Sequence, residues 1–155
     1  MNTRKNIVYA ILFNATGDRL LMVENRGEHG DYYTLPGGTV ERDETLHTAI
    51  TREVLEETGF SIIPGDIVHV AEAFFPQAGE HCLFFFFAGE ITTGQLKTNV
   101  PEEISGLVWM DRDEAFKHLN LRKHQKNRSL LVERYRMILL ERSSTRKEVS
   151  LDVLR

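Results

Sequence analysis

The chain has 155 residues, 41% hydrophobic and 27% charged, which predicts one globular domain with a single two- or three-layer core. A formal net charge of -4 and a pI near 5.9 argue against a broad basic surface for duplex nucleic acid. An anionic substrate would therefore have to be held locally, by a few cations or by a metal ion.

Cysteine content and the first apolar segment indicate where the protein works. Cys82 is the only cysteine, so an internal disulfide is impossible and a buried thiol is expected. The apolar residues 7–13 fall far short of the roughly 20 needed to cross a bilayer, and no small-residue cleavage site follows them. These features predict a soluble, cytoplasmic protein without a membrane partner.

The first half of the chain alternates strand and turn patterns. Residues 7–13 and 19–24 predict a hairpin, residues 25–31 a polar loop, and Pro36-Gly37-Gly38 a tight turn. A helix is predicted from an N-cap at Asp43 to about Thr58, with Glu44 in its first turn and Gly59 ending it.

The second half predicts further strands over residues 60–63, 67–75, 83–91 and 104–110, then helices over 113–119 and 127–142. This order predicts an α/β fold of the α+β type, with a mixed β-sheet between helices. We expect one domain over residues 1–142, followed by a tail, 143–155, that is flexible or forms an oligomer contact.

The first predicted helix carries an acidic face. Glu53, Glu56 and Glu57 occupy positions i, i+3 and i+4, so their carboxylates crowd together and repel one another. A Mg²⁺ ion would relieve this repulsion because it prefers oxygen ligands. Arg52 is placed to hold Glu53 through a charge-assisted hydrogen bond. The alternative is an ordinary solvated helix face with Arg52 as a local partner.

Two features beside this face favour the metal interpretation. Leu46, Ile50 and Val54 form an apolar row that would seat the helix on the sheet, which leaves the carboxylates at a packed edge. Gly37 and Gly38 let the backbone pass close to a ligand, and the Gly38 carbonyl would supply another oxygen.

Residues 38–60 resemble a complete Nudix box. That pattern is Gly, five residues, Glu, seven residues, Arg-Glu, an aliphatic, any residue, Glu-Glu, any residue, Gly, and an aliphatic or aromatic. Every fixed position matches: Gly38, Glu44, Arg52, Glu53, Glu56, Glu57 and Gly59. One departure is Asp43, where many relatives have glycine. The chain therefore resembles the Nudix hydrolases, and the resemblance implies an α/β/α sandwich.

The resemblance also implies a mechanism. Glu53, Glu56 and Glu57 would hold one to three Mg²⁺ ions, with Mn²⁺ as a substitute, and the metal would bind a substrate diphosphate and activate water for hydrolysis. Glu44 would act through hydrogen bonding, or simply as favourable charge near a helix start. The general base stays open between a box glutamate and another acid.

Outside the box, Glu103 is favoured over Glu102 as a further metal ligand or base, because a similar glutamate precedes a tryptophan-bearing strand in the family. Arg26 would grip a phosphate, and Tyr32 would stack on a base, beside the backbone of Gly37 and Gly38. Loop surface is the alternative for Glu103 and Arg26. Phe74 and Phe75 are expected in the core, with stacking on a base as the alternative.

The substrate stays open among nucleotides, nucleotide sugars, ADP-ribose and similar compounds with a diphosphate joined to another group. One alternative is a regulatory module on the same fold that senses nucleotides without turnover. Another is a different reaction on this fold, such as isomerisation of a prenyl diphosphate. A homodimer is also considered, with an interface from residues 127–142 or the tail.

Overall fold

The computed structural model describes residues 3–120, and within them the α+β class is confirmed. The two helices are α1 Leu46–Thr58 and α2 Arg112–Asn120. The seven strands are β1 Thr3–Ile11, β2 Arg19–Asn25, β3 Tyr32–Thr34, β4 Gly37–Thr39, β5 Phe60–Phe75, β6 Glu80–Gly94 and β7 Ile104–Asp111. Neither helix could span a bilayer. The predicted helix 127–142 and the tail 143–155 lie outside the described residues.

The strands form two sheets. One has the order β4-β1-β6-β5, in which β1 and β6 are parallel, and the other has the order β3-β2-β7 with antiparallel pairing throughout. The predicted hairpin pairing of β1 with β2 is therefore limited to the residues beside the turn, where Phe13 and Leu20 form an isolated bridge. Beyond that bridge β1 and β2 separate, because each pairs with strands distant in the sequence.

The two sheets together form one layer with a helix on each side. Val8 and Ala10 point into a core shared with α1, whereas Ile11 lies in a second core shared with α2. Leu21 and Met22 on β2 divide between the same two cores. This alternation is the two-residue period of a strand buried on both faces. It produces the α/β/α sandwich implied by the family resemblance.

Helix α1 lies on the sheet along the predicted apolar row. Ile50 and Val54 are fully buried, and Leu46 is partly buried against the same core. The helix ends at Gly59, which adopts a left-handed conformation with φ 75° and donates its N–H to the Leu55 carbonyl. The prediction of the helix and its C-terminal end is confirmed.

The predicted start of α1 is wrong by two residues. Thr45, not Asp43, is the N-cap, and its hydroxyl accepts a hydrogen bond from the Thr48 N–H at 3.1 Å. Asp43 instead has a left-handed conformation with φ 67°. Glu44 therefore precedes the helix rather than lying in its first turn, and its side chain is free to turn toward Arg52.

The β5–β6 pair corrects two further predictions. The predicted strands 60–63 and 67–75 are one continuous strand, β5, with irregular pairing around residues 64–67. Phe74 and Phe75 are 58% and 37% exposed, so the prediction that they pack in the core is wrong. They lie at the end of an edge strand and belong to neither core.

Candidate functional site

Strand β4 brings a glycine backbone against the acidic face of α1. It pairs with β1, so residues predicted as a turn form a short strand. The Gly37 N–H donates to Glu57 Oε2 at 2.8 Å. A Cβ on Gly38 would lie 2.5 Å from Glu53 Oε1. Gly38 therefore leaves the space that the Glu53 carboxylate occupies.

Gly37 is required for the strand as well as for the site. Its φ of 147° is rarely adopted by other residues, and a Cβ there would lie 2.0 Å from the Val8 carbonyl oxygen. Only glycine therefore allows β4 to approach β1 while its N–H points at Glu57.

Arg52 joins several carboxylates of the site. It donates to both oxygens of Glu44, at 2.7 and 2.9 Å, and also contacts Glu53 at 3.0 Å and Glu56 at 3.2 Å. A further hydrogen bond of 3.2 Å reaches the Thr39 carbonyl. The Arg52 hydrogen bonds, helped by the Glu41 N–H, lower the pKa of Glu44 to about 2. The predicted Arg52–Glu53 contact is present, and sequence reasoning missed the pair with Glu44.

Glu57 has the opposite environment. Burial raises its pKa to about 8, the Gly37 N–H opposes this shift, and the charges of Glu53, Glu103 and Glu56 raise it further. Burial also raises the pKa of Glu53, although Arg52 opposes the effect. Carboxylates from α1 and from the loop before β7 thus share one electrostatic environment.

These carboxylates fit a divalent cation in chemistry, although their oxygens do not converge in this arrangement. Within residues 3–120, no three His, Cys, Asp or Glu side chains are positioned together to hold a metal ion. Arg52 holds Glu53 and Glu56, while Glu57 accepts the Gly37 N–H. A buried carboxylate surrounded by like charges nevertheless gains from a cation, and oxygen donors suit Mg²⁺. A metal would compete with Arg52 for two of these side chains.

The remaining predicted residues lie on two neighbouring loops and at the start of β3. Glu103 and Glu102 are exposed before β7, and the Glu103 carbonyl accepts the Arg26 N–H at 2.9 Å. Arg26 is also exposed and uses its Nε to donate to the Pro101 carbonyl at 3.1 Å. Tyr32 is 43% exposed, with its ring beside Gly27. The structure thus brings Arg26 and Glu103 together.

Sequence reasoning also missed the contact between residues 95–99 and the end of α1. Asn99 donates to the carbonyls of Leu55 and Glu56, and the Lys97 N–H donates to the Thr58 carbonyl. No local sequence pattern predicts these hydrogen bonds, because more than 35 residues separate the partners in each pair.

Comparison with known proteins assigns the class. The NUDIX domain family model matches residues 3–135, and the chain belongs to the Nudix family. This confirms the resemblance carried by the box.

Two curated relatives and one solved structure illustrate the relationship. The 8-oxo-dGDP phosphatase NUDT18 of Danio rerio is 35% identical over 127 residues, which are 78% of this chain and 36% of that protein. The NAD-capped RNA hydrolase NudC of Photorhabdus laumondii is 30% identical over 97 residues, 63% of this chain and 36% of the relative. The chain thus spans about a third of each. The NUDIX hydrolase from Nitrosomonas europaea is similar in structure, with TM-score 0.68, 26% identity, and coverage of 87% and 90% of the two chains.

Proposed function

We propose that the protein is a metal-dependent hydrolase that cleaves the diphosphate linkage of a nucleoside diphosphate joined to another moiety. One observation carries this proposal. The Glu57 carboxylate is largely buried on α1, accepts the Gly37 N–H and lies close to the charges of Glu53 and Glu103. This is an environment in which a divalent cation and its diphosphate ligand are favoured.

The proposed ligands of Mg²⁺, or of Mn²⁺ in its place, are Glu53, Glu56, Glu57, Glu103 and the Gly38 carbonyl. When bound, the metal would neutralise phosphate oxygens and lower the pKa of a coordinated water. Arg52 orients Glu53 and Glu56, and Glu44 fixes Arg52 through two hydrogen bonds. The Gly37 N–H holds Glu57 at the edge of the sheet.

The substrate contacts are proposed in the loop after β2 and at the start of β3. Arg26 would bind a phosphate through its terminal nitrogens, since Nε is directed to Pro101. The exposed ring of Tyr32 would stack on a base, and the backbone of Gly37 and Gly38 would also contact the substrate. These assignments would place the diphosphate between β4 and the acidic face of α1.

The substrate class draws support from the relatives. One is named for 8-oxo-dGDP and the other for NAD-capped RNA, so both names refer to nucleotide compounds. A suitable panel contains 8-oxo-dGDP, NAD, ADP-ribose and a nucleotide sugar. The diphosphate linkage, rather than one particular base, is the shared feature that the carboxylates would recognise.

The proposal is tested by assaying this panel with Mg²⁺, comparing the wild type with Glu57→Gln. Glutamine still accepts the Gly37 N–H but lacks the charge, so turnover should fall by at least about 100-fold while the fold is retained. Glu90→Gln, at an exposed position on β6, is the matched control and should be fully active. Equal activity of wild type and Glu57→Gln would refute the site, and nucleotide binding without turnover would support the regulatory alternative.

Two further predictions concern the cellular compartment and the oligomeric state. A reducing, cytoplasmic compartment agrees with the single cysteine, Cys82, whose thiol is free and buried. Light scattering would distinguish a monomer from the homodimer considered above.

A further inference from the structure

Residues 95–103, which connect β6 to β7, lie across the C-terminal end of α1. The last carbonyls of a helix lack partners within the helix, and this segment supplies three donors. The Asn99 N–H donates to the Glu56 carbonyl at 2.8 Å, and the Lys97 N–H donates to the Thr58 carbonyl at 2.9 Å. The Asn99 side-chain amide donates at 3.0 Å to the Leu55 carbonyl, which also accepts the Gly59 N–H.

Gly59 permits this close approach. A Cβ at that position would lie 2.4 Å from the Gln95 carbonyl oxygen and 2.6 Å from that of Lys97. Its backbone also has the left-handed conformation that ends α1. The same glycine therefore ends the helix and admits the segment that caps it.

The other end of the segment is bonded to Arg26, the residue that follows β2. The Arg26 N–H donates to the Glu103 carbonyl at 2.9 Å, and Arg26 Nε donates to the Pro101 carbonyl at 3.1 Å. A turn in which the Glu103 N–H donates to the Val100 carbonyl precedes the buried side chain of Ile104. The backbone of Glu103 is therefore held from two sides.

These bonds connect two carboxylates that come from different parts of the chain. Glu57 lies in the last turn of α1, and Glu103 lies at the opposite end of the capping segment. We propose that Asn99 and Arg26 are positioning residues, which set the separation of the Glu57 and Glu103 carboxylates for a shared divalent cation. This inference rests on the proposed function, and neither residue is assigned a metal contact.

The first test measures Mn²⁺ binding to the metal-free full chain by electron paramagnetic resonance, without substrate. Asn99→Ala should weaken binding by about 10-fold, the scale seen when residues that orient metal ligands are removed. Gln95→Ala, an exposed neutral residue of the same segment, should bind as the wild type does. If Asn99→Ala fails to fold, Asn99→Ser takes its place. Unchanged Mn²⁺ binding in the folded variant would overturn the inference.

A double-mutant cycle separates positioning from general stabilisation. If Asn99 acts through Glu103, Asn99→Ala should change Mn²⁺ binding little in a Glu103→Gln background. If Asn99 only caps the helix, Asn99→Ala should lower the unfolding temperature equally in both backgrounds. The Mn²⁺ affinity of the folded protein should then stay unchanged. Equal losses of affinity in the two backgrounds would also contradict the proposal.

Arg26 provides the second arm. Arg26→Ala should weaken Mn²⁺ binding before any substrate is present, and Arg26→Lys should restore it in part. An effect confined to the KM of the substrate would assign Arg26 to phosphate binding alone and overturn its positioning role. Because Mn²⁺ binding is measured without turnover, an inactive wild type that shows the predicted Asn99 dependence would refute only the proposed reaction.

Discussion

The acidic site contains two regions whose charges are balanced differently. In the first, Glu44, Glu53 and Glu56 share the guanidinium of Arg52. In the second, Glu57 accepts the Gly37 N–H and forms no salt bridge with any lysine or arginine of residues 3–120. The pKa of Glu44 is accordingly about 2, whereas that of Glu57 is about 8.

The contrast shows where an external cation would be most effective. In the first region one arginine is shared by three carboxylates, since its planar group binds several oxygens at once, and it offsets one of their three negative charges. In the second region Glu57 is largely buried beside the charges of Glu53, Glu103 and Glu56, and its carboxylate accepts the Gly37 N–H. Glu53 contacts Arg52 and also lies beside Gly38, so it connects the two regions.

Replacing Arg52 should have the largest effect on stability, because it removes the cation that the carboxylates of the first region share. Arg52→Ala leaves Glu44 and Glu53 unpaired, so the free energy of unfolding should fall by about 2 kcal/mol in the absence of metal. Urea unfolding followed by the fluorescence of Trp109 measures this change. Arg52→Lys keeps the charge but not the paired hydrogen bonds and should be intermediate; a lysine variant as stable as wild type would show that geometry is unimportant.

Gly38→Ala tests the position of Glu53, the residue that connects the two regions. The new methyl group would displace the Glu53 carboxylate, since it would lie 2.5 Å from Oε1. Hydrolysis should fall by about 10-fold while urea unfolding changes little, because the neighbour that must move is a side-chain end. Gly37→Ala should lose folded stability as well, given its clash with the Val8 carbonyl. A fully active Gly38→Ala would contradict the placement of Glu53.

The pH dependence of stability provides a third test. The folded-state pKa of Glu44, about 2, lies below the ordinary value of 4.5, so its contribution to stability is present above pH 4.5 and is lost as the pH falls through about 2. Without metal, the difference in urea midpoint between wild type and Glu44→Gln should therefore shrink between pH 5 and pH 2. A difference that stays constant over this range would exclude a charge-based role for the Glu44–Arg52 pair.

The smallest expected effect concerns the loop before α1. Asp43 has φ 67°, and glycine adopts that conformation without steric cost. Asp43→Gly should raise the free energy of unfolding by about 0.5 kcal/mol, whereas Asp43→Ala should lower it by up to about 1 kcal/mol. Thermal unfolding of the wild type and the two variants measures these differences in stability. A glycine variant less stable than the wild type would indicate that the Asp43 side chain has a stabilising role of its own.

The error at the start of α1 shows why some local predictions fail. Asp43 and Thr45 are both good N-cap residues by type, so the sequence does not choose between them. The choice follows from the loop before the helix, where the Glu41 N–H and Arg52 hold the Glu44 carboxylate. The backbone at Asp43 is left-handed, a conformation that glycine adopts more readily than aspartate.

Spacing along the chain was sufficient to predict α1, its buried row of Leu46, Ile50 and Val54, and the acidic face beside that row. These features depend on the 3.6-residue period of a helix, which is local. The tertiary structure alone decided which groups face that surface. Gly37 reaches Glu57 across 20 residues, and Asn99 reaches Leu55 across 44. Such contacts depend on how β4 and the segment before β7 pack around the helix, and no local period encodes that packing.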